Sequence, residues 1–279
     1  MIHLSAAIGR YPHTAALLDG AIHGAVTLDC APFPVISRAF APMVREGRFE
    51  VSEMAIATWL QAREHRKPLV LLPRVMAARM QEGSLHCRVD SAIRGPSDLA
   101  GKRVGVRAYS QTTGLWLRGI LQDAHGVAPE SMRWITFEDA HVAECRDPPW
   151  AERAPPGSDM LKLLEDGQLD AIINGNDAPG ARWLRPVFPA TAGADYLIRH
   201  GFTPINHLLV IRADRADHAA SVLALIDAAD AMNPSGLPHG RMAMMPAIAF
   251  AAYHAVRQGL IARAPTTQEI WAGLPPDAD

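Results

Sequence analysis

The sequence predicts an α/β fold of two lobes, each a mostly parallel sheet flanked by helices, with a ligand cleft between the lobes. Three observations predict it: short apolar runs alternating with helical segments, a length of 279 residues, and two extended segments that interrupt the alternation. Alternation of this kind is the pattern of parallel strands joined by crossover helices. The length is too great for one small module and enough for two lobes of ordinary size. The extended segments are "LHCRVDSAIRGPSDLAG" (85–101), with its Gly-Pro turn, and "INHLLVIRADRAD" (205–217). If the chain crosses between lobes there, one lobe holds residues 1–90 and 206–279 and the other holds 91–205. A cleft between two such lobes is a natural site for a small ligand.

The elements follow in chain order. "IHLSAAI" (2–8) and "AVTLDCA" (25–31) are predicted strands, and "VSEMAIATWLQAREH" (51–65) is a predicted helix behind a Ser cap. "PLVLLPR" (68–74) is the next strand, and "GKRVGV" (101–106) is a strand that leads into a helix over 111–123. "DMLKLLEDG" (159–167) is a helix running into the strand "LDAIING" (169–175). The last third changes character. "ADHAASVLALIDAADAM" (216–232) and "PAIAFAAYHAVRQGLI" (246–261) are strongly helical, and "TTQEIWAGL" (266–274) is a short capped helix. No internal repeat is present.

Composition excludes several functions. With 27 Lys+Arg against 29 Asp+Glu and no basic stripe with interleaved aromatics, the chain offers nothing to a phosphate backbone, so no nucleic-acid partner is expected. No uninterrupted apolar stretch reaches about 18 residues, so no membrane span is expected. Three widely spaced cysteines, Cys30, Cys87 and Cys145, fit a reducing compartment better than a disulfide framework. The opening segment lacks the charge, apolar run and cleavage site of a secretory signal, and the expected location is the cytoplasm. The oligomeric state is not legible.

The turn after strand 101–106 supplies Tyr109, Ser110, Gln111, Thr112 and Thr113 before the apolar helix face of Leu115, Trp116, Ile120 and Leu121. Free backbone N–H groups, hydroxyls and the positive end of a helix dipole converge there, which suits a carboxylate or phosphate. A plain helix cap accounts for the same residues. Ser52 and Glu53, and likewise Asn174, Asn176 and Asp177, also fall at predicted strand ends, where open α/β sheets bind ligands. Arg10 and His13 follow the first strand. Arg10 suits either a bidentate grip on a ligand carboxylate or a surface salt bridge. Twelve histidines raise the question of a metal, yet the only suggestive spacing is the His/Cys pair of "HVAEC" (141–145), and no metal site is expected. No dinucleotide, Walker or nucleophile-elbow motif occurs, so no cofactor is assigned.

"FEVSEMAIATWL", "DLAGKRVGVRAYSQTTGLWLRGILQDAHGV" and "TPINHLLVIR", in that order, resemble the three best-marked segments of the 4,5-dihydroxyphthalate decarboxylase family, a branch of the type 2 periplasmic-binding-protein-like fold. The resemblance implies a two-lobed fold with Ser52, Glu53, Tyr109, Thr112 and His207 on the cleft. It also implies a reaction, loss of CO2 from a hydroxylated aromatic dicarboxylate, with His207 either as proton donor or as a strand histidine that only hydrogen-bonds, and Glu53 either as base toward the ring hydroxyl or as a structural hydrogen-bond partner. Arg10, Ser52, Tyr109, Gln111, Thr112 and Asn174 are the residues expected to bind the anionic ligand. One departure stands out: where the family carries an Arg-His pair, this sequence has Gln81 and Glu82. Two function classes therefore remain, a carboxy-lyase and a non-catalytic small-anion receptor on the same fold.

Overall fold

The computed structural model describes residues 2–174 and 181–278; Asn176 and Asp177 lie outside the described residues. In chain order the elements are β1 (Ile2–Ala7), α1 (Ala15–Leu18), β2 (Val26–Cys30), α2 (Phe40–Glu46), β3 (Val51–Ala55), α3 (Ile56–Glu64), β4 (Leu69–Ala78) and β5 (Leu85–Arg88). There follow β6 (Arg103–Val106), α4 (Thr112–His125), β7 (Arg133–Thr136), β8 (Ala151–Arg153), α5 (Met160–Glu165), β9 (Ala171–Ile173), β10 (Leu184–Pro186) and α6 (Ala192–His200). The last are β11 (Ile205–Arg212), α7 (Ala219–Met232), α8 (Arg241–Arg257) and α9 (Thr267–Ile270).

The chain divides into two compact units, one of Met1–Ala78, Ile205–Ile248 and Pro265–Asp279, the other of Arg79–Pro204 and Ala249–Ala264. The first passage therefore falls after β4 rather than near residue 90, because β5 pairs with β9 and β10 of the second unit. The second half of α8, which the sequence places with the first lobe, belongs to the second unit.

The first unit holds a five-stranded sheet in the order β2-β1-β3-β11-β4, in which only β11 runs against the others. Its core sets Leu4, Val51, Leu72, Leu209 and Ile211 against Val222, Leu225 and Ile226 of α7. Pro73 is accommodated because it falls where the β11–β4 register shifts, between Leu72 opposite Leu209 and Val75 opposite Leu208, an irregularity that tolerates a missing N–H. The second unit holds a six-stranded sheet, β10-β5-β9-β6-β7-β8, with β5 alone reversed. Both sheets are thus mostly parallel in direction, as the alternation of strands and helices predicts.

One element differs in kind from its expectation. Residues 51–55 form a strand, not the first turns of a helix, and α3 begins only at Ile56. Val51, Met54 and Ala55 have helical spacing, but β1 and β11 flank the segment and bury all five of its residues, so the partners decide its conformation. Ser52 is consequently no helix cap.

Candidate active site

Glu53 and His207 meet because of strand register. His207 on β11 lies opposite Ala55, two residues along β3 from Glu53, which makes the two side chains diagonal neighbours on one face of the sheet. The ladder between β11 and β4 is irregular on either side of His207, the kind of bulge that re-aims a side chain. Glu53 is fully buried while His207 keeps 21% of its side chain exposed.

Three donors converge on the Glu53 carboxylate. The Gly9 N–H donates to Oε2 at 2.9 Å, and the Tyr11 hydroxyl and His207 Nδ1 each lie 2.5 Å from Oε1. A carboxylate is an acceptor only, so Nδ1 carries the hydrogen in this pair and Nε2 is the nitrogen left for a reacting group. Tyr11 also lies 3.4 Å from His207 Nδ1. Burial, and then the charge and hydrogen bond of Glu53, push the Tyr11 phenol pKa up, so Tyr11 stays a neutral donor. The loop carrying Tyr11 is pinned by Thr14, whose hydroxyl donates to the Gly9 carbonyl at 2.7 Å and accepts from the Tyr11 N–H at 2.9 Å. Gly9 itself is required for closeness: a Cβ there would sit 2.7 Å from the Tyr11 ring. Phe40 meets the His207 ring edge to face at 5.1 Å.

Tyr11 also forms part of the wall of a cavity of about 530 Å³ in the first unit, together with Gly9, Arg10, Cys30, Phe33 and Ile36. The size and the aromatic and aliphatic walls suit a single substituted ring. Arg10 stands on this cavity, but its guanidinium is exposed and donates to Asp19 at 2.6 Å. His13 stacks on Tyr11 at 5.2 Å, and burial holds its pKa below the usual imidazole range.

In the second unit, the carboxyl ends of the adjacent parallel strands β6 and β9 lead to Gln111 and Asn174. Gln111 is the residue that caps α4 with its backbone, and Thr112 and Thr113 open the helix, both buried. The Gln111 Oε1 and Asn174 Nδ2 atoms are buried with no hydrogen-bond partner. Arg79 completes this end of the sheet. Its guanidinium donates to Ser84 Oγ at 2.8 Å and Thr113 Oγ1 at 3.3 Å, and burial, with no neighbouring carboxylate contributing, lowers its pKa. A half-buried cation at a helix N-terminus without a counter-charge has the chemistry that suits an anion. Among the described residues, no group of three or more His, Cys, Asp or Glu side chains is arranged to hold a metal.

Three sequence expectations are corrected here. Ser52 is buried inside β3 and its hydroxyl donates to the Glu53 carbonyl at 2.7 Å, so it is not poised to contact a ligand. Tyr109 is fully buried; its ring packs on Trp134 and 3.9 Å from the Arg118 guanidinium carbon, and its hydroxyl accepts from Trp150 Nε1 at 2.8 Å. It is a core residue that helps satisfy a buried arginine. Glu53 has no solvent exposure and three donors already in place, so of its two expected parts the structure shows the hydrogen-bond partner and not a base open to a ring hydroxyl. Tyr11 and Arg79, by contrast, were not legible as site residues. The available signal was position: Tyr11 follows β1 at its carboxyl end, and Arg79 follows β4 at its carboxyl end.

Sequence comparison finds two similar proteins, both bacterial. A 4,5-dihydroxyphthalate decarboxylase of Comamonas testosteroni is 28% identical over 235 residues, 77% of this chain and 70% of the relative. One of Pseudomonas putida is 26% identical over 190 residues, 64% of this chain and 72% of the relative. The chain is thus similar to proteins named as 4,5-dihydroxyphthalate decarboxylases. No protein-family model matches it. Among solved structures, the periplasmic aliphatic sulphonate binding protein SsuA of Escherichia coli superposes with a TM-score of 0.56 at 16% identity, covering 99% of this chain and 84% of that one. That likeness establishes the fold, a periplasmic-binding-protein-like α/β architecture. Among the described residues, no helix is long and apolar enough to cross a membrane.

Proposed function

We propose that this chain is a carboxy-lyase that removes CO2 from a small hydroxylated aromatic carboxylate, with His207 as the proton donor. The observation that carries the reading is the Glu53–His207 pair at 2.5 Å, buried on the carboxylate side and partly exposed on the imidazole side. Direct cleavage would leave an aryl carbanion, so the ring carbon is protonated before CO2 departs. A hydroxyl para to the carboxylate, on passing its proton to solvent, sends electron density to the carbon that bears the carboxylate. His207, protonated on both ring nitrogens for this step, delivers its Nε2 proton to that carbon, which becomes tetrahedral, and keeps the Nδ1–H that faces Glu53. The bond to CO2 then breaks, its electron pair restores the aromatic ring as a phenolate, and solvent returns one proton to the phenolate and one to His207 Nε2. Glu53 and Tyr11 hold the imidazole in the tautomer and direction this requires. Arg79 and the start of α4 are proposed as a carboxylate-binding element of the second unit, in the place where the sequence analysis put an anion.

The test is CO2 release from 4,5-dihydroxyphthalate, with the monocarboxylate 3,4-dihydroxybenzoate, which keeps a hydroxyl para to its carboxylate, alongside. His207→Gln keeps a hydrogen bond and loses the titratable proton, and a general acid contributes about 10² to 10⁴ in rate. Retained ligand binding with CO2 release slowed to that degree is expected. Binding without release by the parent protein, or undiminished release by the variant, would overturn the assignment.

A further inference from the structure

We propose that the second unit carries a separate pocket for a small organic ammonium ion, centred on Glu82 and Tyr196. A cavity of about 120 Å³ lies there, formed by Glu82, Asp123, His125, Phe188, Tyr196 and His200 with their neighbours. It shares no residue with the cavity beside Tyr11, and the inference does not rest on the proposed activity.

The observation that points to a ligand is a pair of buried polar atoms without partners. Glu82 is 3% exposed; its Oε2 accepts from the Gln81 N–H at 2.9 Å, while Oε1 is buried with no hydrogen-bond partner. Tyr196 is 4% exposed, and its hydroxyl is likewise buried and unpartnered. Buried carboxylate and phenol oxygens are nearly always met by a donor. A group with several N–H donors entering the cavity would meet both.

Charge selects the sign of the ligand. Glu82, Asp123 and Asp195 stand on the cavity against the single guanidinium of Arg199. His125 and His200 add little positive charge, since burial and then Arg199 hold both below the usual imidazole range. Asp123 is partly occupied by His254, which lies 2.9 Å from its Oδ2. Glu82 therefore supplies the carboxylate oxygen with nothing to bind, at the place where the related family carries cationic residues.

The walls select an organic cation over a metal. Tyr196 and His200 rings lie 4.4 Å apart, and His125 and Phe188 lie 5.5 Å apart, so aromatic faces border the site. Such faces attract alkylammonium groups, whereas the described residues offer no metal-ligand cluster.

The probe is methylammonium chloride, titrated calorimetrically into the full chain at constant ionic strength, with potassium chloride as a control. The expected result is saturable one-to-one binding of methylammonium, weakened at least tenfold by Glu82→Gln and measurably by Tyr196→Phe. Thermal melts establish that each variant is folded, and Tyr196→Phe carries the test if Glu82→Gln is not. No saturable binding, affinity unchanged in the folded variants, or equal competition by potassium would overturn the proposal. So would a crystal grown with methylammonium in which only water meets Glu82.

Discussion

His207 faces a carboxylate that solvent does not reach, and the two partners at Oε1 of that carboxylate, Tyr11 and His207, can be separated by substitution. Tyr11→Phe removes one of the two donors at Glu53 Oε1 and leaves the imidazole in place, which should cost about 0.5 to 1.5 kcal/mol of stability. Glu53→Gln is more severe. Its amide must place an NH2 against either the Gly9 N–H or the two donors at the other oxygen, leaving a buried donor unsatisfied, at about 1 to 3 kcal/mol. It also removes the charge that fixes the Nδ1–H tautomer, so CO2 release should fall further than with Tyr11→Phe. Denaturant unfolding and single-turnover release on both variants check the order, and equal effects would mean that Glu53 has no orienting part. Arg79 is a different kind of residue, because no carboxylate compensates it. Arg79→Gln should weaken carboxylate binding roughly tenfold or more while relieving, not worsening, the burial of an unpaired cation. Calorimetry with the carboxylate and a melt on the apo variant would show the two changes with opposite signs.

The elements legible in the sequence are those whose own pattern is strong enough to need no partner. Strands β1, β2 and β6, helices α4 and α7, and the Thr266–Glu269 capping box at α9 all fall where apolar period and cap chemistry put them. β3 was not legible, since its conformation comes from β1 and β11 on either side, and these lie far away in sequence. β8 and β10, of three residues each, carry too little pattern to be seen. The site divides the same way. His207 and Glu53 sit in recognisable segments, whereas Tyr11 and Arg79 gain their meaning only from what lies beside them in space. β6 shows how tightly one such neighbourhood is drawn. A Cβ on Gly105 would lie 2.7 Å from Leu169, 3.0 Å from Met160 and 3.2 Å from Ile172. Gly105→Ala should therefore destabilise the protein by about 1 to 3 kcal/mol through overpacking, despite the better strand propensity of alanine. Urea unfolding measures it, and a neutral or stabilising result would show that α5 can move away from the sheet without cost.

Across the whole molecule the shared electrostatic feature is a set of imidazoles kept from charging. His13 in the first unit, and His86, His125, His200 and His254 in the second, all have pKa values lowered from the ordinary imidazole value, with burial the largest cause in each. The clearest contest is at His254. Asp123, 2.9 Å away, favours the charged ring, but burial outweighs it, and Arg257 and His200 act with burial. A folded pKa below the unfolded one means that the unfolded chain binds more protons, so stability rises with pH through the window between them. The contribution is complete above the unfolded value of about 6.5 and is lost as pH falls through it toward the folded values. Carboxylates held low, such as Glu50 and Asp230, act only in more acid solution, below their ordinary range near pH 4. Asp147, whose pKa burial raises, has the opposite sign, but it is one group against five. The melting temperature should accordingly drop as pH is lowered from 7.5 to 5.5, and unfolding at pH 6 should take up protons. Calorimetric scans in two buffers of different ionisation enthalpy measure both quantities. A melting temperature that holds constant or rises toward pH 5.5, or unfolding that releases protons, would mean that these histidines charge as freely in the folded chain as in the unfolded one.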